Sequence, residues 1–236
     1  MGDLTELIIT MPDFNDLFDI TDIKDLGDLE CLKISRTKLS SMINIEYFKN
    51  LKILKLNYNK IDIIEGLDKL LNLKELWIDG NQIKEIRGLE RLKKLEYLHL
   101  SGNRITRIKN LERLDNLKIL YLDNNKISEI KGLDNLVNLE VIYLRENEIT
   151  DIKGLDSLQR LKRLNLSGNN ITEIKNLDNL INLEELYFDN NQIPVIKGLG
   201  HLKKLQFITL DKNPLYTQYV NQVYTSENYP LYLKFP

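Results

Sequence analysis

Leu117-Lys-Ile-Leu120-Tyr-Leu122-Asp-Asn-Asn125-Lys-Ile127-Ser-Glu-Ile130-Lys-Gly132-Leu133-Asp-Asn-Leu136 is the stretch that decides the fold. Its apolar residues keep two rhythms. Leu120 and Leu122 alternate with other residues, as in a short strand with one buried face. Ile130, Leu133 and Leu136 fall three apart, which suits a tight turn or 3-10 segment returning along the opposite side. Asn125 stands between the two. The same frame places Asn59, Asn81, Asn103, Asn147, Asn169, Asn191 and Asn213 at intervals of 22 residues. One unit earlier, Leu29, Leu32, Ile34, Leu39 and Met42 hold the frame while Thr37 replaces the asparagine. Such a unit cannot bury its apolar face alone, so copies must stack.

Each column of the repeat has a physical reason. A buried asparagine offers donors and an acceptor, so stacked copies can satisfy backbone groups left free where each strand ends. Seven residues on lies Asn44, Gly66, Gly88, Asn110, Gly132, Gly154, Asn176 or Gly198. Glycine and asparagine enter positive φ most readily, which predicts a left-handed turn there. Two residues further, Glu46, Asp68, Glu90, Glu112, Asp134, Asp156 or Asp178 suits the start of a helical turn, where free N–H groups favour negative charge. These acids are structural, not paired catalytic carboxylates.

The expected architecture is an α/β solenoid with a parallel sheet on its concave side and short 3-10 or helical segments on its convex side. It forms one continuous domain. Residues 1–28 are an atypical capping unit of about 25 residues, with Leu4, Leu7 and Ile9 as a strand and Phe14, Leu17, Ile20, Ile23 and Leu26 continuing at a spacing of three. Residues 29–213 are the repeats and residues 214–236 a second cap. Pro214 stops the frame, Tyr216 to Glu227 suits one helix over the open end, and Tyr229 to Phe235 adds aromatic cover.

The form Leu-x-x-Leu-x-Leu-x-x-Asn-x-Ile-x-x-Ile-x-Gly-Leu-x-x-Leu resembles the 22-residue subclass of leucine-rich repeats, from about Leu29 to Leu215. That subclass includes the leucine-rich-repeat regulatory subunit of type-1 protein phosphatase, an axonemal dynein light chain and the bacterial internalins. The resemblance implies a horseshoe and a protein-binding role. Asn213-Pro214-Leu215 and Tyr229-Pro230 look like the C-terminal cap of the intracellular members, although no Tyr-Arg pair follows.

Strand residues between the buried leucines face the concave side. Four before each asparagine stand Lys55, Trp77, His99, Tyr121, Tyr143, Asn165, Tyr187 and Thr209. At about 4.8 Å per repeat, Trp77 to Tyr143 form a continuous stripe. The adjoining column adds Tyr97, Ile119, Val141 and Phe207. Exposed aromatics with apolar neighbours are typical of interface centres, although aromatics side by side also stabilise a sheet without any partner. Cys31, Lys33, Ser35, Arg36 and Lys55 make the N-terminal end basic. Glu75, Asp79 and Asp123 surround the aromatics, and Glu185, Asp189 and Asp211 continue the acidity, broken by Arg145 and Arg163. A partner with a basic rim around an apolar centre fits this face. The column from Arg87 to Lys197 reads as a solubility device.

The bulk numbers agree with that role. With 33 basic and 35 acidic residues the net charge is −2, so the basic excess that nucleic-acid binders need is missing. A single cysteine, Cys31, excludes an internal disulfide. With an acidic N-terminus unlike a signal peptide, it favours an intracellular, cytoplasmic setting. No apolar run approaches the roughly 20 residues of a membrane helix. Only His99 and His201 could join Cys31 in a metal site, and the repeat phase separates them. No nucleotide-binding loop, nucleophile elbow or zinc-protease motif occurs. The sequence therefore predicts a non-enzymatic scaffold, monomeric alone, without cofactor, metal, nucleic acid or membrane. Its anchors are Trp77, Tyr97, His99, Tyr121, Tyr143 and Tyr187, oriented by Glu75, Asp79, Asp123, Glu185 and Asp189. The phosphatase-regulating version is the sharpest. The alternatives are a secreted or surface adhesin of the internalin type and a permanent subunit of a larger assembly.

Overall fold

The computed structural model describes residues 5–21, 26–215 and 232–234. Ten parallel strands follow one another in chain order: β1 (Glu6–Ile9), β2 (Cys31–Ile34), β3 (Ile53–Lys55), β4 (Glu75–Trp77), β5 (Tyr97–His99), β6 (Ile119–Tyr121), β7 (Val141–Tyr143), β8 (Arg163–Asn165), β9 (Glu185–Tyr187) and β10 (Phe207–Thr209). From β2 to β10 each residue pairs with the one 22 later, as in Leu98↔Leu120 and Leu120↔Ile142. The first pairing has an offset of 25, Leu7 opposite Leu32, because the N-terminal unit is longer. In that unit a short helix, α1 (Phe18–Thr21), occupies part of the return, and Ile9, Phe14, Leu17, Ile20 and Leu26 are buried. Leu4 and Ile23 lie outside the described residues.

The solenoid core is built from the two apolar rhythms. Leu120 and Leu122 are fully buried, as are Ile127, Leu133 and Leu136 of the same repeat and Leu139 at the start of the next. The return side carries 3-10 segments at Leu26–Asp28, Ile45–Tyr47 and Leu67–Lys69. From Leu89 onward, among the described residues, it is a chain of single turns. Leu92 N–H donates to the Leu89 carbonyl at 2.9 Å and Leu95 N–H to the Leu92 carbonyl at 3.0 Å, so a spacing of three is also a hydrogen-bonding period.

The asparagines form the ladder their chemistry suggests. Asn125 Oδ1 accepts the Ile105 N–H at 3.0 Å, and its Nδ2 donates to the carbonyls of Leu100, Leu122 and Asp123 at 3.0, 3.1 and 3.2 Å. It thereby ties its own coil to the preceding one. Thr37 ends the ladder: its N–H and hydroxyl both donate to Asn59 Oδ1, at 3.1 and 2.6 Å. The glycine and asparagine column has positive φ throughout, from 57° at Asn176 to 80° at Gly132.

A second left-handed column, one residue before each asparagine, is not evident from the sequence. It holds Gly80, Gly102 and Gly168, but also Arg36, Tyr58, Glu146 and Lys212, which disguise it. At the other end β11 (Tyr232–Lys234) runs antiparallel against β10, Ile208 opposite Leu233. This strand was not expected, and it covers an otherwise open sheet edge. The helix expected over residues 216–227 lies outside the described residues.

Candidate functional site

The strand alternation turns one side chain of every second residue toward the concave face, and the 22-residue register lines them up. Trp77 is opposite His99, His99 opposite Tyr121, and Tyr121 opposite Tyr143. Their rings touch in sequence. Trp77 meets His99 edge-on at 5.2 Å, His99 meets Tyr121 at 5.0 Å, and Tyr121 meets Tyr143 edge-on at 4.9 Å. Tyr97, in the adjoining column, stacks on Trp77 at 4.4 Å and lies 5.5 Å from Tyr121. The five rings make one half-buried platform across four strands. Such pairs contribute about 0.5–1.5 kcal/mol each beyond their area, so part of the stripe's worth is sheet stability.

Trp77 is more enclosed than its sequence position suggests. Its ring lies between Tyr97 from β5 and the Lys55 ammonium from β3, which sits 4.1 Å from the ring centroid. Its Nε1 donates to Glu75 at 3.2 Å. Tyr121 meets three rings of the platform, whereas Tyr143, at its end, meets Tyr121 alone among the platform rings. Tyr187 is not continuous with the stripe. Asn165 intervenes, and Tyr187 packs against Phe207 at 5.5 Å while its hydroxyl donates to Glu185 at 2.7 Å.

The acids divide into two groups. Asp79 is buried and accepts a hydrogen bond from Asn57 Nδ2. Asp123 Oδ1 accepts the Arg145 backbone N–H at 2.7 Å, and Asp189 Oδ1 accepts that of Asp211 at 2.7 Å while Thr209 donates to its other oxygen. All three are bound into the sheet. Burial pushes Asp123 up to about 6, against the opposing pull of the Arg145 N–H and charge. Glu75 and Glu185 stand in the strand column instead, and Glu185 pairs with Arg163 at 2.9 Å.

His99 is held below the ordinary imidazole value by burial, with the Asp79 charge pulling the other way. Burial likewise raises Tyr97, Tyr143 and Tyr187, so their hydroxyls stay protonated at neutral pH. At the basic N-terminal end, Lys33 pairs with Glu6 of β1 at 2.6 Å. Glu6 as a partner of Lys33 was not legible in the sequence, because the longer first unit shifts it out of the 22-residue phase.

C-terminal to the platform, a groove of about 420 Å³ opens between Arg145, Asn165, Tyr187, Asp189 and Lys212. Another recess, about 500 Å³, lies past the asparagines among Arg107, Lys109, Glu129 and Gly132. The basic column there is laced to acids of the preceding coil, Lys109 to Glu85 at 3.5 Å and Lys197 to Glu173 at 2.7 Å. Among the described residues no group of three or more histidines, cysteines or acids could hold a metal ion.

The family model described as leucine-rich repeats, in two copies, matches residues 49–91, 93–135 and 137–179. A search of curated proteins finds no match. Among solved structures, internalin C2 from Listeria monocytogenes is 33% identical over 79% of this chain and 82% of that one, with a TM-score of 0.74. A leucine-rich-repeat protein from Leptospira interrogans is 26% identical over 84% of this chain and 59% of that one, with a TM-score of 0.73. An internalin, InlF, of Listeria monocytogenes shares the fold at 23% identity, over 89% and 74%, with a TM-score of 0.59.

Proposed function

The chain belongs to the leucine-rich-repeat family, and on that premise we propose that it is a scaffold that holds a partner protein on its concave face and performs no chemistry of its own. The observation that carries this reading is the aromatic platform of Trp77, Tyr97, His99, Tyr121 and Tyr143. Five touching rings on one open sheet face form the kind of rigid, amphipathic surface on which interface hot spots concentrate. Tyr121 and Tyr143 are the anchors, with Glu75 and Glu185 setting orientation from the adjoining column. Asp79, Asp123 and Asp189 contribute charge through the sheet they are bonded into.

Affinity capture from source-cell lysate tests this. A Tyr121→Ala/Tyr143→Ala variant with wild-type circular dichroism should lose a partner that wild type retains, by about 2 kcal/mol or more, above tenfold. Equal retention by both would remove the concave face from consideration. A partner that never dissociates and comigrates in one large complex would point to the permanent-subunit alternative.

Where the scaffold works has two versions. The single cysteine suits an intracellular regulator, including the phosphatase-regulating type, which rests on the form of the repeat alone. The 33% identity to internalin C2 over most of both chains favours a surface or secreted binding protein. Protease treatment of intact cells separates them: degradation of the native protein supports the surface version, and protection until lysis supports the intracellular one.

A further inference from the structure

We propose that the aromatic platform is operated by a proton at His99, which on arrival converts the near-contact with Asp79 into an ion pair and sets a positive charge among Trp77, Tyr97 and Tyr121. The geometry points to this. His99 Nδ1 lies 3.3 Å from Asp79 Oδ1, yet it is buried and makes no hydrogen bond. The two side chains are only 21% and 10% exposed, so a charge on the ring is poorly screened and its strongest counter-charge is Asp79. The ring is otherwise enclosed by Trp77 at 5.2 Å, Tyr97 at 6.3 Å and Tyr121 at 5.0 Å.

The groups facing His99 come from three coils. Glu75 and Asp79 lie on the β4 side, with Lys55 of β3 beyond Trp77. Tyr97 shares β5. Tyr121 and Asp123 lie on the β6 side, with Arg145 one coil further. Burial favours the neutral imidazole, so the platform carries no charge at His99 at neutral pH and gains one only below the ordinary imidazole range. Asp123, pushed up to about 6, also loses its negative charge on acidification. Both events move the platform in the positive direction. A partner that brings a cation to this face is released by acid, and one that brings an anion is retained. That consequence rests on the reading of this face as the partner surface, whereas the switch itself belongs to the protein alone.

Trp77 is the only tryptophan in the chain, and it touches the switching ring. Its fluorescence, excited selectively in the full-length protein between about pH 8 and 5, is therefore a built-in readout. A protonated imidazole quenches a neighbouring indole, so emission should fall in one step with a midpoint below the ordinary value of about 6.5. The step should vanish in His99→Gln, persist in His201→Gln, and move to lower pH in Asp79→Asn, which removes the counter-charge. A step that survives His99→Gln, or a midpoint indifferent to Asp79→Asn, overturns the proposal. Should a variant fail to fold, the wild-type imidazole resonances decide. With two histidines in the chain, two ordinary midpoints overturn the proposal and one depressed midpoint upholds it. Failure of the partner reading looks different: unchanged capture by the tyrosine variant, with the fluorescence step intact.

Discussion

At Gly154 the backbone sits at φ 73°, and a methyl group there would lie 2.6 Å from the Ile130 carbonyl oxygen. Three equivalent positions, 44, 110 and 176, hold asparagine instead, and Asn110 Nδ2 donates to the Ile86 carbonyl at 2.7 Å, as Asn176 does to Ile152 at 2.6 Å. The same carbonyl that would collide with an inert methyl becomes a partner for an amide. Gly154→Ala should therefore cost about 2 kcal/mol or more, and Gly154→Asn distinctly less, in denaturant unfolding. Equal costs would mean that strain alone governs the column. Asp123 gives a second residue-scale prediction. Its folded value of about 6 lies above the ordinary 3.9 or so. Its contribution to stability is thus fully present below about pH 4 and is lost as pH rises through about 6. Asp123→Asn keeps an acceptor for the Arg145 N–H and removes this dependence. Relative to wild type it should gain, between about pH 4 and 8, on the order of 3 kcal/mol at most, less whatever solvent screens. Unfolding at the two pH values measures the gain, and no difference would show that the carboxylate is well solvated.

Among the elements, the strands and the asparagine ladder were legible because both follow from a period. Alternation set which residues of β4 to β7 are buried, and the 22-residue spacing set their register. Partners that depend on depth and rotamer were not legible: the Lys55 ammonium over Trp77, and the attachment of Asp123 and Asp189 to the next coil's backbone. Period places Asp123 on the concave side, but only the fold shows that its oxygen is already engaged. The ladder itself can be tested at one rung. Asn125→Ala would leave the Ile105 N–H buried without its acceptor, while the Leu100 carbonyl keeps the Asn103 amide at 3.0 Å. At about 1–3 kcal/mol for one unpaired buried group, the loss should be roughly 1–3 kcal/mol. Lys126→Ala, exposed and adjacent, should stay within about 0.5 kcal/mol. Similar losses for both would deny the asparagine any special role.

At the scale of the whole molecule, each coil touches only its neighbours, so stability is distributed along the array and depends on how the ends are closed. The two ends are closed differently. At the N-terminal end β1 adds a parallel strand with an offset of 25, while β11 returns antiparallel onto β10. The sequence signalled that the repeat stops at Pro214, but a strand of reversed direction has no place in a 22-residue frame, so β11 was invisible to it. The last coil is also the least tightly filled. Ile196 and Leu199 are only partly buried, whereas their counterparts Ile130 and Leu133 are buried fully or nearly so. Truncation after Leu215 removes the Tyr232–Lys234 pairing and leaves β10 as an open edge. Amide exchange should then accelerate in β9 and β10, where opening costs least, and remain unchanged in β2 to β6. Acceleration spread evenly along the chain would mean that the coils unfold as a single cooperative unit. The aromatic platform on β4 to β7 would then depend on closure of the sheet edge three strands away.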